Sequence, residues 1–75
     1  MKVLFQVIGL EEKTIDESIF KEVEKFDVAT LRKIVAEHYD IPEEHAFDDQ
    51  RFWFSDTYAS LGGEEQMHLF TIIPE

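Results

Sequence analysis

The chain has 75 residues, 44% of them hydrophobic and 13% aromatic, with a formal charge of -10 and no cysteine. That length allows a single hydrophobic core and one domain spanning residues 1–75, and the apolar content separates the chain from disordered sequences. The cysteine count excludes a disulfide framework, a thiolate zinc site and a cysteine nucleophile, and the lack of clustered Lys and Arg argues against direct nucleic-acid binding.

A reducing, cytoplasmic setting is the expected default. No apolar run approaches a membrane span and no charged-then-apolar leader is visible, so no membrane association is expected. Charge is distributed unevenly: six bases face seven acids before Ile34, whereas Arg51 is the one Lys or Arg against ten acids from Ile34 onward. Such an acidic half keeps a small domain soluble, and it also forms an electrostatic face for a basic partner.

In chain order, "KVLFQVIGL" reads as a strand ended by Gly9. Val3, Phe5 and Val7 occupy one face and Leu4 and Ile8 the other, the pattern of a central strand covered on both sides. "TIDESIFKEVEKF", residues 14–26, supports two readings. Thr14 and Glu17 make a capping box, with Ile15, Ile19, Val23 and Phe26 at helical spacing; alternatively "SIFKEVEK" returns as a strand beside the first, with Glu11 to Glu17 as a hairpin loop. "DVATLRKIVAEHYD" is an amphipathic helix with Asp27 as N-cap and Val28, Leu31, Ile34, Val35 and His38 on its inner face. The Ile41-Pro42 step ends it.

"QRFWFSDT" reads as a strand with Phe52 and Phe54 on one face and Trp53 on the other. "LGGEEQ" is a turn in which Gly62 and Gly63 are expected to supply positive φ. "MHLFTII" is a closing strand, expected to lie beside the first in the middle of the sheet.

The segment "DVATLRKIVAEHYDIPEEHAFDDQRFWF", with "MKVLFQVIGL" before it and "EEQMHLFTII" after it, resembles the ubiquitin-like β-grasp superfamily in element order. The resemblance implies a small α+β fold, a mixed sheet with one main helix, and a contact surface on the sheet face opposite that helix. The alternative is a β-α-α-β-β arrangement. The chain lacks the C-terminal Gly-Gly tail of conjugated members, so tagging and sulfur transfer are not expected, and the short Thr57 to Glu65 segment points to an abbreviated sheet edge.

No catalytic pattern emerges. Glu37-His38 lacks the second helical histidine of a zinc protease, and Asp40, Glu43, Asp48 and Asp49 lack the spacing of a calcium loop. No enzyme, cofactor or metal is therefore expected. The expected function is non-catalytic binding, as a small acidic inhibitor or adaptor of a basic, nucleic-acid-binding protein, with phage or mobile elements as a conjectural origin. Asp40, Glu43, Glu44, Asp48, Asp49, Asp56, Glu64 and Glu65 would present charge at phosphate-like intervals, and Trp53 with Tyr58 would anchor the contact. The alternatives are a Trp53 covered by the Glu11 to Glu17 loop, or a structural homodimer that buries the Trp53 face.

Overall fold

The hairpin that opens the chain settles the ambiguous segment. In the computed structural model, which describes residues 1–47 and 51–74, β1 (Lys2–Gly9) pairs antiparallel with β2 (Thr14–Glu22). Residues 14–22 are thus strand despite their helical spacing. Pairing with β1 puts Ile19 opposite Phe5 and Phe20 opposite Leu4, and this tertiary ladder overrides a local helical preference of a few tenths of a kcal/mol per residue. The connecting turn is only Leu10 to Lys13, shorter than the Glu11 to Glu17 loop expected, because Lys13 takes a left-handed φ of 57°.

Helix α1 (Val28–Tyr39) follows, then a 3-10 turn at Glu43–His45, β3 (Phe52–Phe54), β4 (Tyr58–Leu61) and β5 (Gln66–Ile73). Asp27 caps α1 by accepting the Thr30 N–H at 2.8 Å, and hydrogen bonding from the Thr30 side chain, then from its backbone, holds the carboxyl below the usual range. At the other end Asp40 turns left-handed, with φ 54°, and donates its N–H to the Ala36 carbonyl. Asp tolerates that conformation better than most residues.

The sheet order is β2-β1-β5-β4-β3, and β1 and β5 are neighbours in its middle as the sequence suggests. All four pairings are antiparallel, so the mixed sheet expected from the resemblance is not formed. Connectivity explains the difference. Helix α1 carries the chain from β2 at one edge to β3 at the other, and two hairpins then bring it inward, leaving β5 opposed to β1. The short β4 was not anticipated within the Thr57 to Glu65 segment; with the three-residue β3 it makes the abbreviated edge.

One face of the sheet lies under α1. Val3, Phe5, Val7, Ala59, Leu61 and Phe70 from the strands meet Leu31, Ile34, Val35 and Ala36 from the helix, all buried. Large apolar side chains contribute about 1.5–3 kcal/mol each on such burial. Ile19, Val23, Phe26, Phe47 and Phe52 close the margins of this layer, and Phe26 stacks on Phe54 at 5.4 Å.

The glycine pair of the β4–β5 turn acts differently from the expectation, since no glycine has positive φ. Space is what Gly63 provides. A Cβ there would stand 2.5 Å from the Gln66 carbonyl oxygen, whereas one on Gly62 would meet nothing closer than 3.6 Å. Gly63→Ala is expected to cost about 1–3 kcal/mol, because backbone must move. Gly62→Ala is expected to be neutral or to stabilise by up to about 1 kcal/mol. Urea midpoints of the two variants separate these outcomes.

Candidate functional site

Among the described residues no helix lies on the second face of the sheet. Strand registers place the side chains of this open face in rows: Phe20, Leu4, Thr71 and Tyr58 in one; Ser18, Gln6, Leu69, Ser60 and Trp53 in the next; and Ile15, Ile8 and Met67 beyond. Leu4, Ile8, Tyr58, Met67, Leu69 and Ile73 are half-buried by their neighbours. The rims are open, with Ile15 61%, Phe20 60% and Trp53 56% exposed. Such a concentration on one surface, rather than scattered single apolar residues, is the pattern that marks interaction sites.

Trp53 sits 5.6 Å from Tyr58, ring centre to ring centre, so the two aromatics proposed as an anchor are neighbours. The Glu11 to Glu17 segment belongs to the opposite edge of the sheet and leaves Trp53 uncovered. On that far edge the Lys2 ammonium lies 5.8 Å from the centre of the Phe20 ring. In the middle, Gln6 donates to the Ser18 hydroxyl at 3.2 Å, which satisfies two polar groups between the apolar rows.

The described acids among these candidates are distributed over separate turns. Asp56 lies in the β3–β4 turn close to Trp53 in sequence, while Glu64 and Glu65 lie in the β4–β5 turn at the opposite end of the sheet. Asp40, Glu43 and Glu44 follow α1 and are exposed. Asp48 and Asp49 lie outside the described residues. A feature that sequence spacing did not reveal joins Glu65 to the first hairpin: Leu10 donates its N–H to the Glu65 carbonyl at 3.0 Å. Beside this contact Gly9, Glu11, Glu12, Asp16, Glu65 and Gln66 line an open cleft of about 390 Å³. Among the described residues no group of three or more His, Asp or Glu is arranged to hold a metal ion.

On the helix side, His38 and His68 are both set against Phe5, the first edge-on at 5.2 Å and the second stacked at 6.0 Å. His38 Nε2 contacts the Glu17 carboxylate at 2.5 Å. His68 Nε2 is 2.5 Å from the Tyr39 hydroxyl, while its Nδ1 is buried without a hydrogen-bond partner. Burial pushes the His68 pKa below its ordinary value; the Leu61 backbone opposes this and His38 adds to it. Burial, with Glu17 nearby, pushes the Tyr39 phenol up. His38 and His68 thus pack against the core aromatic Phe5, whereas His45 is exposed.

A pH dependence follows for His68. Its folded pKa is depressed, so the unfolded chain binds the proton more readily, and stability present above the ordinary value of 6.5 is lost as pH falls below it. The stability difference between wild type and His68→Phe, measured by urea unfolding from pH 8 to pH 5, is expected to shift toward the variant on acidification. A constant difference would contradict it.

No helix of the described chain is long and apolar enough to cross a membrane. Comparison with protein-family models, with curated proteins and with solved structures finds no match to this chain.

Proposed function

We propose that this domain is a non-catalytic protein-binding module that uses its open sheet face as the contact surface. The carrying observation is that, among the described residues, one sheet has two apolar faces and a single α-helix, which covers only one of them. Trp53 and Tyr58 at one edge and Phe20 at the other are the side-chain types that dominate binding energy at interfaces. The described candidate acids Asp40, Glu43, Glu44, Asp56, Glu64 and Glu65 lie outside the strands, in the turns, where they speed encounter with a basic partner rather than form the dry centre of the contact.

An inhibitor of a nucleic-acid-binding protein fits that arrangement as the finer reading, with Glu43, Glu44, Glu64 and Glu65 taking the place of phosphates at the margin. Catalysis is left out because the described acids other than the half-buried helix cap Asp27 are exposed, and acid–base work needs a carboxyl raised by burial beside an ionised partner. The ubiquitin-like resemblance supports use of the face opposite the helix, and it rests on element order; the antiparallel β1–β5 pair counts against closer kinship.

The test is affinity capture from a cell lysate at low and moderate salt with three proteins: wild type, Trp53→Ala, and a variant carrying Glu43→Gln, Glu44→Gln, Glu64→Gln and Glu65→Gln. Loss of the captured partner with Trp53→Ala at both salts is expected, with the neutralised variant weakened chiefly at low salt. Loss that follows only the acids would move the site to the turns. Failure of capture, together with a dimer that shields Trp53, would favour the structural homodimer.

A further inference from the structure

Strand β2 is an edge strand nine residues long, and its backbone hydrogen-bonding pattern can be read from its end. The Met1 ammonium donates to the Val23 carbonyl at 2.7 Å, and the Val23 N–H donates to the Met1 carbonyl at 2.8 Å. Met1 and Val23 are therefore a hydrogen-bonded pair, and alternation along an antiparallel ladder makes Val3 with Lys21, Phe5 with Ile19 and Val7 with Glu17 the next such pairs. Lys21, Ile19 and Glu17 use their backbone groups toward β1. Glu22, Phe20 and Ser18 turn their N–H and C=O groups to the outer edge.

The side chains specify what matches that edge. Glu17 and Lys21 lie on the helix-facing side of β2 at equal distance from Ile19. A second β2 running antiparallel about a two-fold axis at Ile19 sets each Glu17 opposite the partner copy's lysine. Ile19 then meets its own counterpart, and Ser18 and Phe20 of the two copies exchange backbone hydrogen bonds. Moving the axis to Ser18 or Phe20 sets these charges opposite apolar or uncharged residues, and moving it to Glu17 or Lys21 opposes like charges. Opposite-charge pairs across strands favour pairing and like charges oppose it.

This register also sets Asp16 opposite the partner copy's Glu22, a like-charge pair, but both acids are held by their own chain; Glu17, which contacts His38 through Oε2, is the acid left to face the partner copy's lysine. Asp16, the extra residue of the bulge, accepts from the Thr14 hydroxyl at 2.9 Å and the Gln66 amide at 3.5 Å, and Glu22 is 3.2 Å from the Met1 ammonium. We infer that two copies of this chain join through their β2 edges, antiparallel about Ile19, into one continuous sheet of ten strands, twice the five of a single copy. The contact is self-complementary, as a two-fold interface must be. It aligns the two open faces side by side and leaves Trp53, on the far edge strand, uncovered; it therefore stands independently of the binding reading above.

Sedimentation velocity at high micromolar concentration and about physiological salt tests this with Glu17→Lys and Lys21→Glu. Wild type is expected to be a dimer, and each variant alone a monomer with native circular dichroism. An equimolar mixture of the two is expected to dimerise again, since each edge then carries a single sign of charge and complements the other. Trp53→Ala is expected to remain dimeric. Monomeric wild type, dimerisation of either single variant at the wild-type concentration, or a mixture that stays monomeric would overturn the inference; because the mixture must regain what each variant loses, misfolding of Glu17→Lys alone cannot imitate the expected result, and Lys21→Glu provides the second reading.

Discussion

Phe5→Ala is expected to lose about 3–5 kcal/mol of folding stability, the range for truncating a fully buried phenylalanine. Phe5 has no exposed surface and lies at the junction of every layer. Its ring stacks on Phe70 at 5.2 Å, meets His38 edge-on at 5.2 Å and stacks on His68 at 6.0 Å. A domain of this size has a total stability of about 4–11 kcal/mol. The loss is therefore a large fraction of the whole, and a substantial unfolded population is expected at 37 °C. Phe54→Ala is the control, since Phe54 is 37% exposed and touches Phe26 and Phe52 at the margin; its loss is expected to be clearly smaller. Urea unfolding followed by circular dichroism measures both, and equal losses would contradict the placing of Phe5 at the centre of the core and Phe54 at its margin.

The second large effect is expected on the other side of the sheet and with the opposite signature. Trp53→Ser and Phe20→Ser remove the two largest exposed side chains of the open face, at its opposite edges. Their stability cost is expected to stay within about 1 kcal/mol, because little surface is buried around them and surface changes are usually small. Binding is expected to fall by about 30-fold or more for Trp53→Ser, which corresponds to the ~2 kcal/mol of an interface hot spot. The two effects divide by face: inward aromatics set stability and outward aromatics set affinity. A large loss of stability from Trp53→Ser would mean that the tryptophan is packed by its own chain, and the reading would fail.

Much of this division is legible in the sequence. The alternation Val3, Phe5, Val7 against Leu4, Ile8 identifies a strand with two apolar faces, and Asp27 with the spacing of Leu31, Ile34 and Val35 fixes the helix. Phe52 and Phe54 against Trp53 correctly separate the inner face from the outer. What sequence patterning misses depends on partners distant along the chain. Ile15 and Ile19 have helical spacing with Val23, yet the ladder with β1 makes them strand. Tyr58 to Leu61 is too short for its alternation to stand out, although Ala59 and Leu61 point inward as a strand requires. The direction of β5 relative to β1 follows from counting reversals, and without β4 that count is wrong. Gly62 and Gly63 look like positions of positive φ, whereas only the close approach of the Gln66 carbonyl shows what Gly63 is for.

The acidic residues show the same limit. Their abundance after Ile34 is plain, but sequence does not show that Glu65 meets Glu11, Glu12 and Asp16 across the ends of two hairpins. Sequence proximity groups these acids with Trp53, whereas among the described residues Glu64 and Glu65 stand at the opposite end of the sheet from it.

Trp53 is the sole tryptophan of the chain, so it reports directly on the surface at issue. The decisive measurement is its fluorescence emission and acrylamide quenching, first for the protein alone and then for its complex with the captured partner. Emission of the protein alone is expected to be red-shifted and readily quenched, becoming blue-shifted and protected in the complex. A partner that binds fully while Trp53 stays red-shifted and quenchable would show that the open face is not the binding surface.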